Sequence, residues 1–181
     1  MRLYYRPFLE AIEIEKHLYD TLKTLKDNGY KLGIIANTPY YKEIIMECLE
    51  EVGIDHLFDE VILSYDTKLV KPNIDIFEYA MRLFHVEASE CVMVGDSLYK
   101  DMEPASRLGM KCYWLNKKND DNYLNVTNMM EIDQLSDLIH ELLIEDEGNQ
   151  ETYVEYEEVL PDEEDDDFNV EDYIEEEEDE Y

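Results

Sequence analysis

Short apolar runs alternating with amphipathic stretches constrain this chain more than any other feature. Leu32-Gly33-Ile34-Ile35, Val61-Ile62-Leu63, Cys91-Val92-Met93-Val94 and Lys111 to Leu115 read as four strands. Each is too short for a helix and apolar at consecutive positions, as strands covered on both faces are. Between them lie helical patterns. Ile12 to Asn28 carries Ile14, Leu18, Leu22 and Leu25 at three- and four-residue spacing, and Tyr40 to Val52 sets Ile44, Ile45, Cys48 and Leu49 on one side. Pro72 opens a third helix with the face Ile76, Phe77, Ala80, Met81 and Phe84, and a fourth runs from Asp96 through Arg107. Gly29, Gly53 and Gly109 supply the stops. Asn116 to Asn122 reads as a polar loop, and Ile132 to Ile144 as a last amphipathic helix capped by Asp133. Every crossover has room for a helix, so the pattern predicts an α/β domain: a parallel sheet with helices on both faces.

Charge divides the chain in two. Between Glu145 and Tyr181, 21 of 37 positions are acidic and none is Lys or Arg, which leaves 26 acidic against 15 basic residues in the first 144. A domain is therefore expected over 1–144 and a disordered acidic tail over 145–181. The balance argues against nucleic-acid binding and against adsorption to an anionic membrane, since both require clustered cations. Tyr153, Tyr156, Phe168, Tyr173 and Tyr181 among the tail's acids could engage a basic protein, or the tail could simply solvate the domain. No apolar run has the length of a membrane span or a signal core, and Cys48, Cys91 and Cys112 are too scattered for a disulfide framework or zinc site. Cys91 and Cys112 read as buried free thiols, and the chain as cytoplasmic.

In parallel sheets, ligands bind at the carboxyl ends of the strands. Three such ends carry polar groups here: Ala36-Asn37-Thr38-Pro39, Val70-Lys71-Pro72-Asn73, and Gly95-Asp96-Ser97 with Asp101 five positions after Asp96. Two carboxylates after a strand suit a hard cation such as magnesium, a lysine can steady a phosphoryl group, and backbone amides at a helix start can accept its oxygens. Each feature alone is equally at home in an ordinary turn or cap.

Together these segments resemble the haloacid dehalogenase-like (HAD) superfamily, chiefly phosphatases with a Rossmann-like core. Lys71-Pro72-Asn73-Ile74-Asp75-Ile76-Phe77 is similar to the family's lysine motif and its helix. Val94-Gly95-Asp96-Ser97, with Asp101, Ala105 and Gly109, is similar to its acidic motif. Gly29 to Asn37 is similar to the strand that bears its hydroxyl motif. The resemblance covers about residues 10 to 144. It implies that Lys71 neutralises charge between nucleophile and phosphoryl group, that Asp96 and Asp101 hold Mg2+, and that phosphate is cradled around Asn37 and Thr38. A small phosphorylated substrate follows from the same resemblance.

Two departures stand out. The family's chemistry begins at an Asp-x-Asp motif ending the first core strand, where a carboxylate takes the phosphoryl group and passes it to water. Met1 to Phe8 contains no acidic residue, and Asp20 and Asp27, the only aspartates before Ala36, fall in the helical pattern. Ala36 also stands where the family usually has Ser or Thr, leaving Thr38 as the nearest hydroxyl. The resemblance therefore implies an incomplete HAD-like core, lacking its central strand and most of any cap, and inactive by itself. Arg2 to Tyr5, Thr152 to Leu160, direct pairing of the flanking strands, or a complementing N-terminal chain are the candidates for the empty place. A non-catalytic magnesium- or phosphate-binding module, or an interaction protein working through its tail, are the alternatives.

Overall fold

The structure, a computed structural model, describes residues 15–144. Helix α1 (Leu18–Asp27) leads to strand β1 (Gly33–Ala36), followed by α2 (Lys42–Glu51) and β2 (Glu60–Leu63). A short helix α3 (Ser64–Thr67) and the longer α4 (Asp75–Phe84) precede β3 (Val92–Gly95). A π-helical turn (Leu98–Met102) runs into α5 (Glu103–Leu108), then β4 (Lys111–Leu115), β5 (Met129–Ile132) and α6 (Asp137–Ile139), which continues as a π-helical turn to Ile144.

The described strands form two parallel sheets, β1-β2 and β3-β4-β5. Gly33 to Ala36 lie opposite Glu60 to Leu63, and Val92 to Gly95 opposite Lys111 to Trp114. The sequence pattern thus located four of the five strands. The fifth, β5, pairs with β4 through Cys112–Met129 to Leu115–Ile132, in a stretch without the apolar run that marked the others. The last helix accordingly begins at Asp137, not Ile132, and its cap is different. The Asp137 carboxylate accepts from the amides of Asp133 and Gln134 at 3.1 and 3.2 Å, so Asp133 is a donor to the cap rather than its source.

Alternation along the sheet fills both faces. Cys112 and Trp114 pack with Ile62, Ile76, Phe77, Ala80, Met102 and Ala105 on one side. Tyr113 packs with Leu25, Ile132, Leu138 and Leu142 on the other. Helix α4 buries Ile76, Phe77 and Ala80, three members of the face its spacing predicts. It starts three residues after Pro72, because Val70 to Asn73 close a turn through Asn73 N–H to Val70 O at 2.9 Å. Trp114 and Cys112 are buried, and burial pushes the Cys112 thiol up to about 11. Cys91 is only half-buried, contrary to the expectation from its apolar run, because it precedes β3 and its Sγ donates to Glu87 O at 3.3 Å.

The edges of β1 and β3 do not pair with each other, which removes direct pairing from the candidates for the expected gap. Among the described residues β1 is bonded only to β2, and β3 only to β4. All four residues of β3 are half-buried, whereas Val61, Ile62 and Leu63 of β2 and Cys112, Tyr113 and Trp114 of β4 are buried. Inner strands of a parallel sheet ordinarily show the reverse. Arg2 to Tyr5, Thr152 to Leu160 and the whole acidic tail lie outside the described residues, as does the start of the first predicted helix.

One ion-pair junction ties α1 to both strands of the smaller sheet. The Asp59 carboxylate accepts from Lys26 Nζ at 2.7 and 2.8 Å and from Leu32 N–H at 2.7 Å, while Asp59 N–H donates to Leu32 O at 2.8 Å. Partial burial works against ionisation, but the Lys26 hydrogen bond, the Leu32 amide and the charges of Lys26 and Lys31 outweigh it and hold the carboxyl below its ordinary value. A depressed carboxyl contributes stability above its unfolded pKa, roughly 3.9, that is lost as pH falls through the folded value. Asp59→Asn is expected to cost about 1 kcal/mol or less at pH 7, because the pair is solvent-screened. The difference from wild type should shrink towards pH 3 in urea melts, and a constant difference would show that the charge is irrelevant.

Candidate active site

The carboxyl ends of β1 and β3 open into one cavity of about 540 Å³, lined by Ala36, Asn37, Lys71, Asp96, Ser97 and Asp101 among others. Its floor is set by the turn after β3. Gly95 is required there because a Cβ would stand 2.6 Å from Asp101 Oδ2 and 2.8 Å from Asp101 Cβ and Cγ. Ser97 caps the π-helical turn, its Oγ accepting from Lys100 N–H at 3.1 Å. That turn returns Asp101 under the strand end, where Oδ2 accepts from Ser97 N–H at 3.2 Å. Trp114 fixes the same loop from β4, its Nε1–H donating to Asp96 O at 3.1 Å.

Lys71 reaches this turn from the β2 side. Its Nζ lies 2.5 Å from Asp101 Oδ1, and the two side chains are 13% and 4% exposed. The pair is therefore held in low-dielectric surroundings, where leaving either charge uncompensated is costly. Asp96 differs: its residue is exposed, and no hydrogen bond or ion pair to its carboxylate is found among the described residues. One carboxylate is committed to a lysine, the other is available to a ligand.

The two phosphate-cradle residues have separate environments. The Asn37 side chain spans the Lys71 backbone, donating to its carbonyl at 2.8 Å and accepting from its N–H at 2.9 Å. Thr38 lies beyond the cavity lining. Its N–H donates to Ser64 Oγ at 3.0 Å, its carbonyl accepts from Ser64 Oγ at 3.2 Å, and its hydroxyl accepts from Tyr40 N–H at 3.2 Å. Lys71, Asp96, Asp101 and Asn37 are thus brought together, and Thr38 stands behind them.

Sequence reasoning missed the wall supplied by Lys100, Asp120 and Tyr123. Its support is Asn116, buried at the end of β4, which accepts from Asp120 N–H at 2.9 Å and donates to Asp120 O at 3.0 Å and Glu131 Oε1 at 2.6 Å. The only trace in the sequence is an Asn immediately after an apolar strand, a pattern shared by many ordinary loops.

The donor chemistry fits magnesium in kind: carboxylate oxygens at a strand end, with no soft ligand near. The described residues contain no set of three acidic, His or Cys side chains able to hold a metal ion. Two carboxylates with remaining oxygens from water and phosphate is the usual magnesium arrangement. No described helix is long and apolar enough to cross a membrane.

Comparison with known proteins agrees with this geometry. The family model described as haloacid dehalogenase-like hydrolase matches residues 1–115. The chain is 36% identical over 127 residues to a glyceraldehyde 3-phosphate phosphatase of Methanothermobacter thermautotrophicus, covering 66% of this chain and 55% of that protein. It is 34% identical over 102 residues to the pyrophosphatase PpaX of Halalkalibacterium halodurans, covering 56% of this chain and 46% of that protein. A crystal structure of a HAD phosphatase from Thermococcus onnurineus superposes with a TM-score of 0.67 at 35% identity, over 76% of this chain and 62% of the other. The chain spans about half the length of these curated relatives. With the lysine, acidic and strand-end motifs converging on one cavity, the chain belongs to the haloacid dehalogenase-like hydrolases.

Proposed function

We propose that this chain supplies the lysine-and-carboxylate side of a magnesium-dependent phosphatase site for small phosphorylated substrates. The observation that carries the reading is the convergence of Lys71, Asp101 and Asp96 on one cavity at the ends of β1 and β3. The phosphatases among the relatives support it. Asp96 would hold the magnesium ion, with Asp101 behind it supporting the site directly or through water, and the ion when bound offsets negative charge on the phosphoryl oxygens. Lys71 places a fixed cation beside that charge, and the Asn37 and Ser97 loops border the same cavity. Positioning and electrostatics of this kind supply most of the rate enhancement in phosphoryl transfer.

The accepting carboxylate is the part the described residues do not provide. Its place is a strand between β1 and β3, parallel to both, with its carboxyl end at the cavity. Support comes from the two half-satisfied edges and the half-buried β3, since unpaired backbone groups at a sheet centre are costly. A complementing polypeptide segment of short apolar sequence ending in Asp-x-Asp would satisfy both the backbone and the chemistry.

The chain alone is expected to hydrolyse no generic phosphomonoester with magnesium. Adding a synthetic peptide of such a strand should produce turnover that Lys71→Ala abolishes. Robust hydrolysis by the chain alone that disappears in Asp96→Asn would overturn the requirement for an added carboxylate. Calorimetry that detects neither magnesium nor inorganic phosphate binding, with or without the peptide, would overturn the site assignment itself.

A further inference from the structure

We propose that Asn37 is a positioning residue that acts through Lys71, the first link of a polar relay joining the ends of β1 and β3. The relay runs from the Asn37 carboxamide to the Lys71 backbone, from Lys71 Nζ to Asp101 Oδ1, and from Asp101 Oδ2 to Ser97 N–H. It crosses between two sheets that share no ladder hydrogen bond among the described residues.

The chemistry of the first link is selective. Lys71 lies in the turn that Asn73 N–H closes on Val70 O, and its own N–H and C=O both face the Asn37 side chain. A carboxamide is the neutral side chain that offers one acceptor and one donor side by side, so Asn37 imitates a strand edge and fixes both groups at 2.9 and 2.8 Å. A lysine side chain has four rotatable bonds, and the position of its ammonium depends on where its backbone is pinned. Here that ammonium meets a carboxylate that is itself pinned by Ser97 N–H and walled by Gly95.

Asn37 is itself exposed, so the clamp contributes little to folding, and positioning can be separated from stability. The functional weight of the clamp rests on the phosphatase reading, whereas the clamp itself does not.

The test follows the Lys71 ammonium by NMR in protein carrying 15N-lysine, assigned by its loss in Lys71→Arg. In wild type the Asp101 pairing should give a slowly exchanging signal. In Asn37→Ala that signal should exchange about tenfold faster, and in the magnesium-loaded protein the affinity for inorganic phosphate should fall by about tenfold, the scale of a small misplacement of a charged group. Asn37→Asp keeps the acceptor for Lys71 N–H but sets a carboxylate oxygen against its carbonyl, and should show the same loss. Asn28→Ala, which removes a comparable exposed side-chain hydrogen bond to Thr24 O, should leave both readouts unchanged. A wild-type exchange rate in folded Asn37→Ala overturns the proposal, as does failure of both Asn37 variants to fold, which would make the residue structural. A wild-type protein that shows the Lys71 signal and its response to Asn37→Ala, yet binds no phosphate, supports the clamp and overturns the phosphatase reading.

Discussion

Lys71→Met should destabilise the domain by about 3 kcal/mol, most of which should return when Asp101→Asn is added. The single change keeps the aliphatic volume and leaves the Asp101 carboxylate 4% exposed, with Ser97 N–H at 3.2 Å as its remaining partner among the described residues. A buried charge that loses its counter-ion carries its desolvation penalty uncompensated. The double variant removes the charge as well as the counter-ion, so the losses are strongly non-additive. Urea unfolding of the four proteins of the cycle measures the coupling. A Lys71→Met loss below about 1 kcal/mol, the range of surface pairs, would show that water reaches the carboxylate. The experiment also separates structure from chemistry, since the double variant should be folded and still unable to bind inorganic phosphate.

Gly95→Ala has the next largest expected effect. The added methyl would meet Asp101 at 2.6 to 2.8 Å, and Asp101 has nowhere to go: its two oxygens are held by Lys71 and Ser97. The obstacle is steric, for Gly95 is not among the positive-φ glycines. Overpacking of this kind costs about 1 to 3 kcal/mol, and the shift of Asp101 should abolish magnesium binding as well. Gly33→Ala is the control. Its methyl would meet Phe84 at 2.8 Å, but at the far edge of a half-buried ring able to swing aside. Thermal melts should therefore rank Gly95→Ala well below Gly33→Ala. Equal melting temperatures would mean that Asp101 moves freely and that the lysine pair does not pin it.

Much of this arrangement was legible because strand ends and helix starts are local. Lys71, Asp96 and Asp101 follow apolar runs directly, and the place of a residue after a parallel strand sets which end of the sheet it occupies. Asn37 was found for the same reason, but its engagement was not, since nothing in Ala36-Asn37-Thr38 announces a partner 34 positions away. Thr38 illustrates the opposite case. Its hydroxyl suited a phosphate by type, yet the chain turns after Asn37 and gives that hydroxyl to Tyr40 N–H. Strand β5 escaped because Met129-Met130-Glu131-Ile132 has mixed polarity, and Glu131 is exposed where it accepts from Asn116.

The sequence by itself determined the α/β class, four parallel strands, the covering helices and the three motif-bearing strand ends, because burial on two faces leaves a periodicity that needs no partner to be read. Tertiary structure alone decided the rest. It set the lysine on the deeper aspartate and left Asp96 open. It turned Asn37 towards Lys71, and it kept β1 and β3 unpaired. These are relations between residues distant in the chain, fixed by packing and by the need to pair buried charge and backbone, and no local pattern encodes them.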